Sequence, residues 1–350
     1  MTEIRVEASR AYTVKIGAGL LPRCGELSAP HIRGRRAVVC AGEKAFALYG
    51  GTVLKSLREA GFEAASCVYP AGESAKRPET LLHIINSLSG AGLTREDAVF
   101  ALGGGVTGDM AGLAAALYLR GIDCVLLPTT LLAAVDASVG GKTAVDLPSG
   151  KNRMGVIAQP RLVLCDTDSF RTLPPEVLAE GWAEAVKCVL LRGGALTELL
   201  RGEKPEEHWE DIVAACVELK RELVEADEFD RGERRLLNLG HTVGHAIELC
   251  SGYTVPHGRA VAAGMAVLAR GCAAKALCGP ELVQTLEALL RRFGLPTRCP
   301  YGAEELLKAA AADKKREGER ITLVLPRAVG RCELAVCGME ELGELIALGL

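Results

Sequence analysis

The spacing of hydrophobic residues changes near residue 170. Before that point, short apolar runs alternate with amphipathic stretches such as RPETLLHIINSLSGAG. The runs that predict strands are YTVKIG (12–17), RAVVC (36–40), AASCVYP (64–70), AVFALG (98–103), CVLLP (124–128) and RLVLCD (161–166). Alternation of strands with helices is typical of a mostly parallel sheet covered by helices, and we predict that arrangement here.

After residue 170 the apolar residues recur at helical spacing. The pattern runs through LPPEVLAEGWAEAVKCVLL, HWEDIVAACVELKRELVEAD and the segments after 236. A β-like island, RITLVLP with RCELAVC, returns near 320–337. We therefore predict two domains, an α/β domain over 1–170 and an all-α or mainly helical domain over 171–350.

Composition narrows the class of protein. The net charge of the 350 residues is −3 and no long basic stretch occurs, which argues against a nucleic-acid or membrane-surface role. The start MTEIRVEASR has no apolar leader, and no uncharged run reaches the about 18 residues of a membrane span. The 13 cysteines include no CxxC pair and lie mostly alone in apolar runs, as expected of a reduced, cytoplasmic protein.

A glycine loop follows one predicted strand. Gly103, Gly105 and Gly108 satisfy the pattern GxGxxG in LGGGVTGDMAG, with a strand before and a helix after. Glycines let the backbone approach a pyrophosphate, and the helix N-terminus adds free N–H groups. The alternative is a tight strand-to-helix turn without a ligand. Asp123 has the usual spacing of a ribose-binding acid, but it begins the next strand, so we do not assign it that role.

Two further loops carry charge. PAGESAKRPET offers Glu73 and Lys76 in a turn after a strand, where a solvated charge pair at a helix start is the alternative. LPTTLLAAVDASVGGKTAVDLPSGKNRMG places Asp136 among apolar residues, where a carboxylate is expensive to bury. Lys142, Lys151 and Asn152 follow glycines in the same stretch, and we expect them on loops that bind an anionic ligand.

Histidines cluster in an apolar context. LNLGHTVGHAIE (237–248) is expected to place Asn238, His241, His245 and Glu248 on one helical face, and His257 begins another apolar helix. Buried imidazole requires a hydrogen bond or a metal. Glu184 and Lys187 share a face of AEGWAEAVKC, so the partner of Glu184 is either Lys187 or a metal. Candidate zinc ligands are Glu184, His241 and His257, or the HxxxH pair His241 and His245, and spacing does not choose between them.

Together these motifs resemble the 3-dehydroquinate synthases of the sugar-phosphate cyclase superfamily, over about residues 12–330. The most specific segments are GGGVTGDMAG, LLAAVDASVGGKTAVD, GKNRMG, GWAEAVK, LNLGHTVGHAIE and VPHGRAVAAGM. The resemblance implies an N-terminal Rossmann-like α/β domain that binds NAD and a C-terminal helical domain that binds metal and substrate.

The resemblance also implies roles for individual residues. The implied metal ligands, for Zn²⁺ or Co²⁺ as a substitute, are Glu184, His241 and His257. The implied NAD contacts are Glu73, Lys76, Gly104, Gly105, Asp109, Thr129, Thr130, Lys142 and Lys151. The implied substrate contacts are Asp136, Lys142, Asn152, Lys187, Lys220, Arg234, Asn238 and His245, the last of them facing the substrate phosphate. Arg120 is expected to reach the phosphate site of the neighbouring subunit in a homodimer, and Lys314 or Lys315 to contact phosphate.

The implied activity is conversion of 3-deoxy-D-arabino-heptulosonate 7-phosphate to 3-dehydroquinate and phosphate, a step of the shikimate pathway to the aromatic amino acids. NAD would be oxidised transiently and returned, around a β-elimination and an intramolecular aldol closure. Two enzymatic alternatives stay open: another sugar-phosphate cyclase, such as amino-dehydroquinate synthase, and a metal-dependent polyol dehydrogenase of the same fold. A non-enzymatic nucleotide-binding regulator would not explain clustered buried His, Glu and Lys.

Overall fold

The computed structural model of the chain describes residues 1–313 and 320–350. Its strands are β1 (Thr2–Val6), β2 (Tyr12–Gly17), β3 (Arg36–Gly42), β4 (Glu63–Tyr69), β5 (Ala98–Gly103), β6 (Asp123–Pro128), β7 (Lys142–Leu147), β8 (Gly150–Ile157), β9 (Leu162–Asp166), β10 (Arg320–Ala328) and β11 (Arg331–Gly338). Its α-helices are α1 (Cys24–Ser28), α2 (Glu43–Ala45), α3 (Gly51–Glu59), α4 (Pro78–Gly90), α5 (Gly105–Leu117), α6 (Pro175–Arg192), α7 (Ala195–Arg201), α8 (Trp209–Ala226), α9 (His241–Cys250), α10 (His257–Ala274), α11 (Pro280–Arg292), α12 (Ala303–Asp313) and α13 (Met339–Gly349).

The chain folds into two compact units. The first unit comprises Met1–Leu173 and Trp209–Phe229, and the second comprises Pro174–His208 and Asp230–Leu350. In the parts of the chain just described, each helix is too short or too polar to cross a membrane. All 13 cysteines lie in those parts, and all are free thiols.

A seven-stranded sheet forms the centre of the first unit. Its strand order is β1-β2-β9-β6-β5-β3-β4, and every pairing is parallel except that of β1 with β2. Both faces of the sheet are buried. Val39 and Ala41 of β3 pack towards α3, whereas Val38 and Cys40 pack towards α4 and α5. Continuous apolar strands are typical of such doubly covered parallel sheets, and the predicted α/β class is confirmed.

The middle segment differs from the prediction. We expected loops over residues 129–155, but β7 and β8 form an antiparallel hairpin there. The sequence shows no apolar alternation in β8 because none of its eight residues is buried. A Cβ at Gly155 would lie 2.1 Å from the carbonyl oxygen of Thr143, so only glycine permits this pairing distance. Lys142, Lys151 and Asn152 therefore lie on strands, not on loops.

The second unit is mainly helical. The central helix α10 packs against α6, α9, α11 and α13, and its residues are buried almost throughout. The antiparallel hairpin of β10 and β11 packs Ile321, Leu323 and Cys337 into the same core. The helical prediction is confirmed, with the β-like island near 320–337 present as this hairpin.

Glycines set the distance between α9 and α10. A Cβ at Gly264 would lie 2.3 Å from the carbonyl oxygen of Gly240 and 2.8 Å from the amide nitrogen of Gly244. We expect Gly264→Ala to lower the free energy of unfolding by about 1–3 kcal/mol, because backbone must move to admit the methyl group. Urea denaturation measures the effect. Gly302→Ala is the matched control, since a Cβ at Gly302 meets open space; equal stability of the two variants would contradict the close-packing account.

Candidate active site

The glycine loop of the first unit is built as the sequence predicted. β5 ends at Gly103 and α5 begins at Gly105, while the amide of Thr129 donates to the carbonyl of Gly103 over 2.9 Å. A Cβ at Gly104 would lie 3.2 Å from the Thr130 side chain. The end of β6 therefore packs closely on the loop, and the free amides of the first turn of α5 form a site suited to a phosphate group.

Charged side chains of the first unit gather around Lys76. Its ammonium nitrogen lies 2.6 Å from the carboxylate of Asp109 and 2.6 Å from the Oδ1 atom of Asn152. Lys151 lies 3.4 Å from Glu73. Burial raises the pKa of Asp109, and the neighbouring Lys76 cation opposes that rise. The structure thus brings together five of the residues for which the resemblance implied cofactor or substrate contacts.

Asn152 has an unusual backbone conformation. Its φ is +54°, which asparagine tolerates better than most residues, and its amide donates to the carboxylate of Asp146 over 2.7 Å. The left-handed residue fixes the start of β8 and directs the Asn152 side chain to Lys76.

Asp136 and Lys220 form an ion pair within the first unit. Asp136 lies in the short helical segment Ala133–Ala137, and Lys220 lies on α8. The Lys220 ammonium contacts both the carboxylate and the main-chain oxygen of Asp136. Lys220 is nearly buried, with 9% of its side chain exposed. Lys220 therefore supplies the charge that compensates the partly buried Asp136 carboxylate.

Three helices of the second unit bring Glu184, His241 and His257 together. Glu184 lies on α6, and the two histidines are the first residues of α9 and α10. The Oε1 atom of Glu184 is 3.9 Å from the Nε2 atom of each imidazole. A Cβ at Gly258 would lie 2.5 Å from the Cα atom of Glu180, so glycine lets the start of α10 approach α6.

These three residues fit a divalent cation. Glu184 is 1% exposed, and within residues 1–313 and 320–350 neither of its carboxylate oxygens accepts a hydrogen bond. Lys187 contacts one of the oxygens as an ion pair, though without hydrogen-bond geometry, so its charge alone does not satisfy the carboxylate. A separation of 3.9 Å is too long for a hydrogen bond and leaves space for an ion bound by all three groups.

His241 is prepared for metal binding. Burial, with the nearby Lys187 cation, lowers the pKa of His241 well below its usual range, so the imidazole is neutral at pH 7. Its Nδ1 atom lies 3.2 Å from the carbonyl oxygen of Leu239, which leaves Nε2 for Glu184 and the ion. Neutral imidazole is the form that binds metal.

His245 lies outside this ligand set. Among the described residues, the sets of three or more ligand groups close enough to share an ion are Glu184 with His241 and His257, and His245 with Glu248 and His257. Neither group contains His241 and His245 together, so the arrangement favours the first set over the HxxxH pair. The ligand assignment itself stays a prediction.

Asn238 does not share the helical face that we expected. α9 begins only at His241, after Gly240 in the left-handed conformation with φ +79°, and Asn238 ends the 3₁₀ segment Glu233–Asn238. The same segment carries Arg234, which is 1% exposed. Residues 237–248 therefore belong to two elements, the 3₁₀ segment and α9. The left-handed conformation of Gly240 allows the chain to turn between them.

Other residues singled out by the sequence lie apart from these clusters or outside the described residues. Arg120 is exposed and adopts a φ of +67° between Leu119 and Gly121, which also have positive φ. With Lys142 it lines a pocket of about 380 Å³ in the first unit. Lys314 and Lys315 lie outside the described residues. Asp123, which was assigned no ribose-binding role from the sequence, forms an ion pair with Arg10.

Sequence reasoning did not assign a role to Glu248. This residue is 2% exposed on α9, and its Oε2 atom lies 3.4 Å from the Nδ1 atom of His257. The available signal was a carboxylate three residues after His245 in a helix of otherwise apolar spacing. Its contact to His257 comes from a different helix, which spacing along the chain does not reveal.

Comparison with known proteins identifies the family. Family models for 3-dehydroquinate synthase match residues 66–180 with the N-terminal part and residues 181–316 with the C-terminal part. A 3-dehydroquinate synthase of Xanthomonas axonopodis pv. citri is 43% identical over 354 aligned positions, which cover 97% of this chain and 95% of the relative.

Solved structures are similar over the same length. A 2-deoxy-scyllo-inosose synthase in complex with carbaglucose-6-phosphate, NAD⁺ and Co²⁺ matches with a TM-score of 0.89 at 25% identity, covering 100% of each chain. ValA, a 2-epi-5-epi-valiolone synthase from Streptomyces hygroscopicus with NAD⁺ and Zn²⁺ bound, matches with a TM-score of 0.88 at 26% identity, covering 99% of this chain and 98% of that one. With both family models matched in order along most of its length, the chain belongs to the 3-dehydroquinate synthase family.

Proposed function

We propose that this protein converts 3-deoxy-D-arabino-heptulosonate 7-phosphate to 3-dehydroquinate and inorganic phosphate, with NAD and a divalent cation, Zn²⁺ or Co²⁺. One observation carries the proposal: Glu184, His241 and His257 converge in a member of this family, with a buried carboxylate that accepts no hydrogen bond from the described residues. Relatives of the same fold hold NAD⁺ with Co²⁺ or Zn²⁺.

Cations and amides of the chain recognise the two acidic ends of the substrate. In the first unit Lys220 is the proposed contact of the substrate carboxylate, and in the second unit Arg234 and Asn238 are; the planar guanidinium of Arg234 suits a two-pronged contact. In the second unit His245 is proposed to face the phosphate, and in the first unit Asn152 and Lys142 are proposed substrate contacts. Lys220 already holds Asp136, so the ammonium is fixed in position before substrate arrives.

The same proposal names the residues for the two bound groups. Glu184, His241 and His257 would hold the cation, and the glycine loop with Lys76, Asp109, Thr129, Thr130 and Lys151 would hold NAD. When bound, the two groups supply reversible hydride transfer at a substrate alcohol and polarisation of its oxygen.

The protein itself orients the substrate. Lys187 remains beside Glu184 and limits the negative charge of the site. The substrate phosphate accepts the proton in its own β-elimination, so we assign no strong protein base. The work of the side chains is binding, orientation and exclusion of water.

Incubation of the protein with the keto-acid phosphate, catalytic NAD and zinc tests the function. We expect inorganic phosphate and the carbocyclic product in equal amounts, with no net NADH, because the hydride returns within each turnover. Stoichiometric NADH without phosphate release would contradict the proposal and favour a polyol dehydrogenase. Turnover of the amino analogue of the substrate in preference to the oxygen compound would favour amino-dehydroquinate synthase.

Arg120 is the basis of a proposed homodimer in which each subunit completes the phosphate site of the other. Its side chain is exposed, and the left-handed backbone at Leu119–Gly121 presents it at the surface. A two-fold dimer would place two such arginines reciprocally. Leu117 and Leu119, 48% and 41% exposed beside it, supply apolar surface for the contact.

Mixing two inactive variants tests this exchange. In the proposed dimer each site takes His257 from one subunit and Arg120 from the other. When Arg120→Ala and His257→Ala are refolded together, each mixed dimer therefore has one site with both residues and one site with neither. We expect about a quarter of wild-type activity from an equal mixture, since half of the dimers are mixed and half of their sites are intact. If the mixed dimers form but show no activity, the proposal that Arg120 acts in the site of the neighbouring subunit is contradicted.

A further inference from the structure

Glu248 is a buried carboxylate that the three ligand positions do not include. It is 2% exposed, lies one helical turn after His245 on α9, and contacts a residue of α10. Its Oε2 atom lies 3.4 Å from the Nδ1 atom of His257. Burying a carboxylate is costly unless a polar group contacts it, and here the contacting group belongs to His257, one of the predicted ligands.

Both histidines of the predicted metal site are held in the same way. His241 directs Nδ1 to the carbonyl oxygen of Leu239 over 3.2 Å, and His257 directs Nδ1 to Glu248. Each ring therefore presents Nε2 to the Oε1 atom of Glu184, at 3.9 Å in both cases. An imidazole whose Nδ1–H is donated has its lone pair on Nε2, the nitrogen that faces the site.

His257 needs the stronger anchor of the two. Its side chain is 32% exposed, compared with 13% for His241, so water competes more for its Nδ1 atom. A carboxylate accepts a stronger hydrogen bond from Nδ1–H than a carbonyl does, and it raises the basicity of Nε2.

We infer that Glu248 is a positioning residue that holds the Nδ1–H of His257 and so makes Nε2 its metal-binding nitrogen. The inference rests on the cation site of the proposed function. It assigns Glu248 no contact with the ion. The competing assignment takes Glu248 as a ligand, together with His245 and His257, whose ligand atoms also lie within 4.8 Å of one another.

Zinc titration of the apo protein tests the inference without substrate or NAD. We compare Glu248→Ala and Glu248→Gln with wild type, in competition with a chelating dye. We expect Glu248→Ala to weaken zinc binding by about 10- to 100-fold while one ion per chain still binds. Glu248→Gln should lose less, because its amide oxygen still accepts from Nδ1–H. Leu249→Ala is the control, a 37% exposed neighbour on the same helix, and should bind zinc as wild type does.

A second readout separates positioning from mere stability. Nitrogen-15 NMR of the histidine side chains should show His257 with its proton on Nδ1 in the apo wild type and a mixture of tautomers in Glu248→Ala. Unchanged zinc affinity or an unchanged His257 tautomer in Glu248→Ala would overturn the inference. Complete loss of zinc binding in Glu248→Gln would also overturn it, because Glu248 would then be a ligand. Wild type that binds zinc but releases no phosphate would instead refute the proposed function and leave this inference standing.

Discussion

His257→Ala is expected to abolish zinc-dependent phosphate release. We expect the rate to fall by at least about a thousandfold, because loss of one of the three proposed ligands would remove the cation proposed to polarise the substrate oxygen. The apo variant should unfold at a lower temperature than the apo wild type, because the buried Glu248 carboxylate loses its contact to His257. Metal analysis of the purified variant measures the loss of the cation, and an assay of phosphate release measures the loss of activity. Thermal unfolding of the apo variant measures its stability.

His208→Ala is the matched control for this substitution. His208 is an exposed histidine of the same unit, and we expect normal zinc content and normal turnover. Full activity of His257→Ala with no bound zinc would refute the ligand assignment, whatever the stability of the variant.

Lys220→Met is expected to impair both stability and turnover. Removing the ammonium leaves the Asp136 carboxylate, 26% exposed, without this ion pair, which should lower the free energy of unfolding by about 2–3 kcal/mol. The same change removes a proposed contact to the substrate carboxylate, so KM should rise by at least about tenfold. Denaturation and steady-state kinetics measure the two effects separately. Lys55→Met, at a lysine whose side chain is 76% exposed, should change neither.

A double variant separates the two roles of Lys220. Asp136→Asn combined with Lys220→Met removes both charges, so we expect part of the lost stability to return. Phosphate release should not recover, because both side chains are proposed to contact the substrate. Recovery of turnover with stability would show that Lys220 acts only through the fold.

The architecture of the first unit could be predicted because its signals are local. Each of the six predicted strands coincides with an observed strand to within two residues at either end. β1 was missed because only Ile4 and Val6 of its five residues are buried, too few to mark an alternation. The β7–β8 hairpin was missed because no residue of β8 is buried, so its sequence carries no apolar alternation.

Pairings between distant segments could not be predicted from spacing. The sequence placed HWEDIVAACVELKRELVEAD in the helical half, whereas Trp209–Phe229 belongs to the compact unit formed by residues 1–173. The reason is visible in its contacts: α8 packs on β1 and β2, and Lys220 reaches Asp136. Helical periodicity tells which face of α8 is buried but not what covers it.

The predicted ligand residues illustrate the same limit. Spacing identified His241 and His245 as a possible pair, because both lie on α9. The group that includes Glu184 and His257 requires three helices to meet at Gly258 and Gly264, and their close contacts depend on the absence of a Cβ. The resemblance to the family implied Glu184, His241 and His257 as ligands. In the structure one candidate ligand atom of each residue lies within 4.8 Å of the others.

The most direct test is a crystal structure of the zinc-loaded protein, with anomalous diffraction measured on both sides of the zinc absorption edge. We predict a single strong anomalous peak bound by a carboxylate oxygen of Glu184 and the Nε2 atoms of His241 and His257. A zinc peak elsewhere in the chain, with these three side chains bound only to one another or to water, would contradict the account.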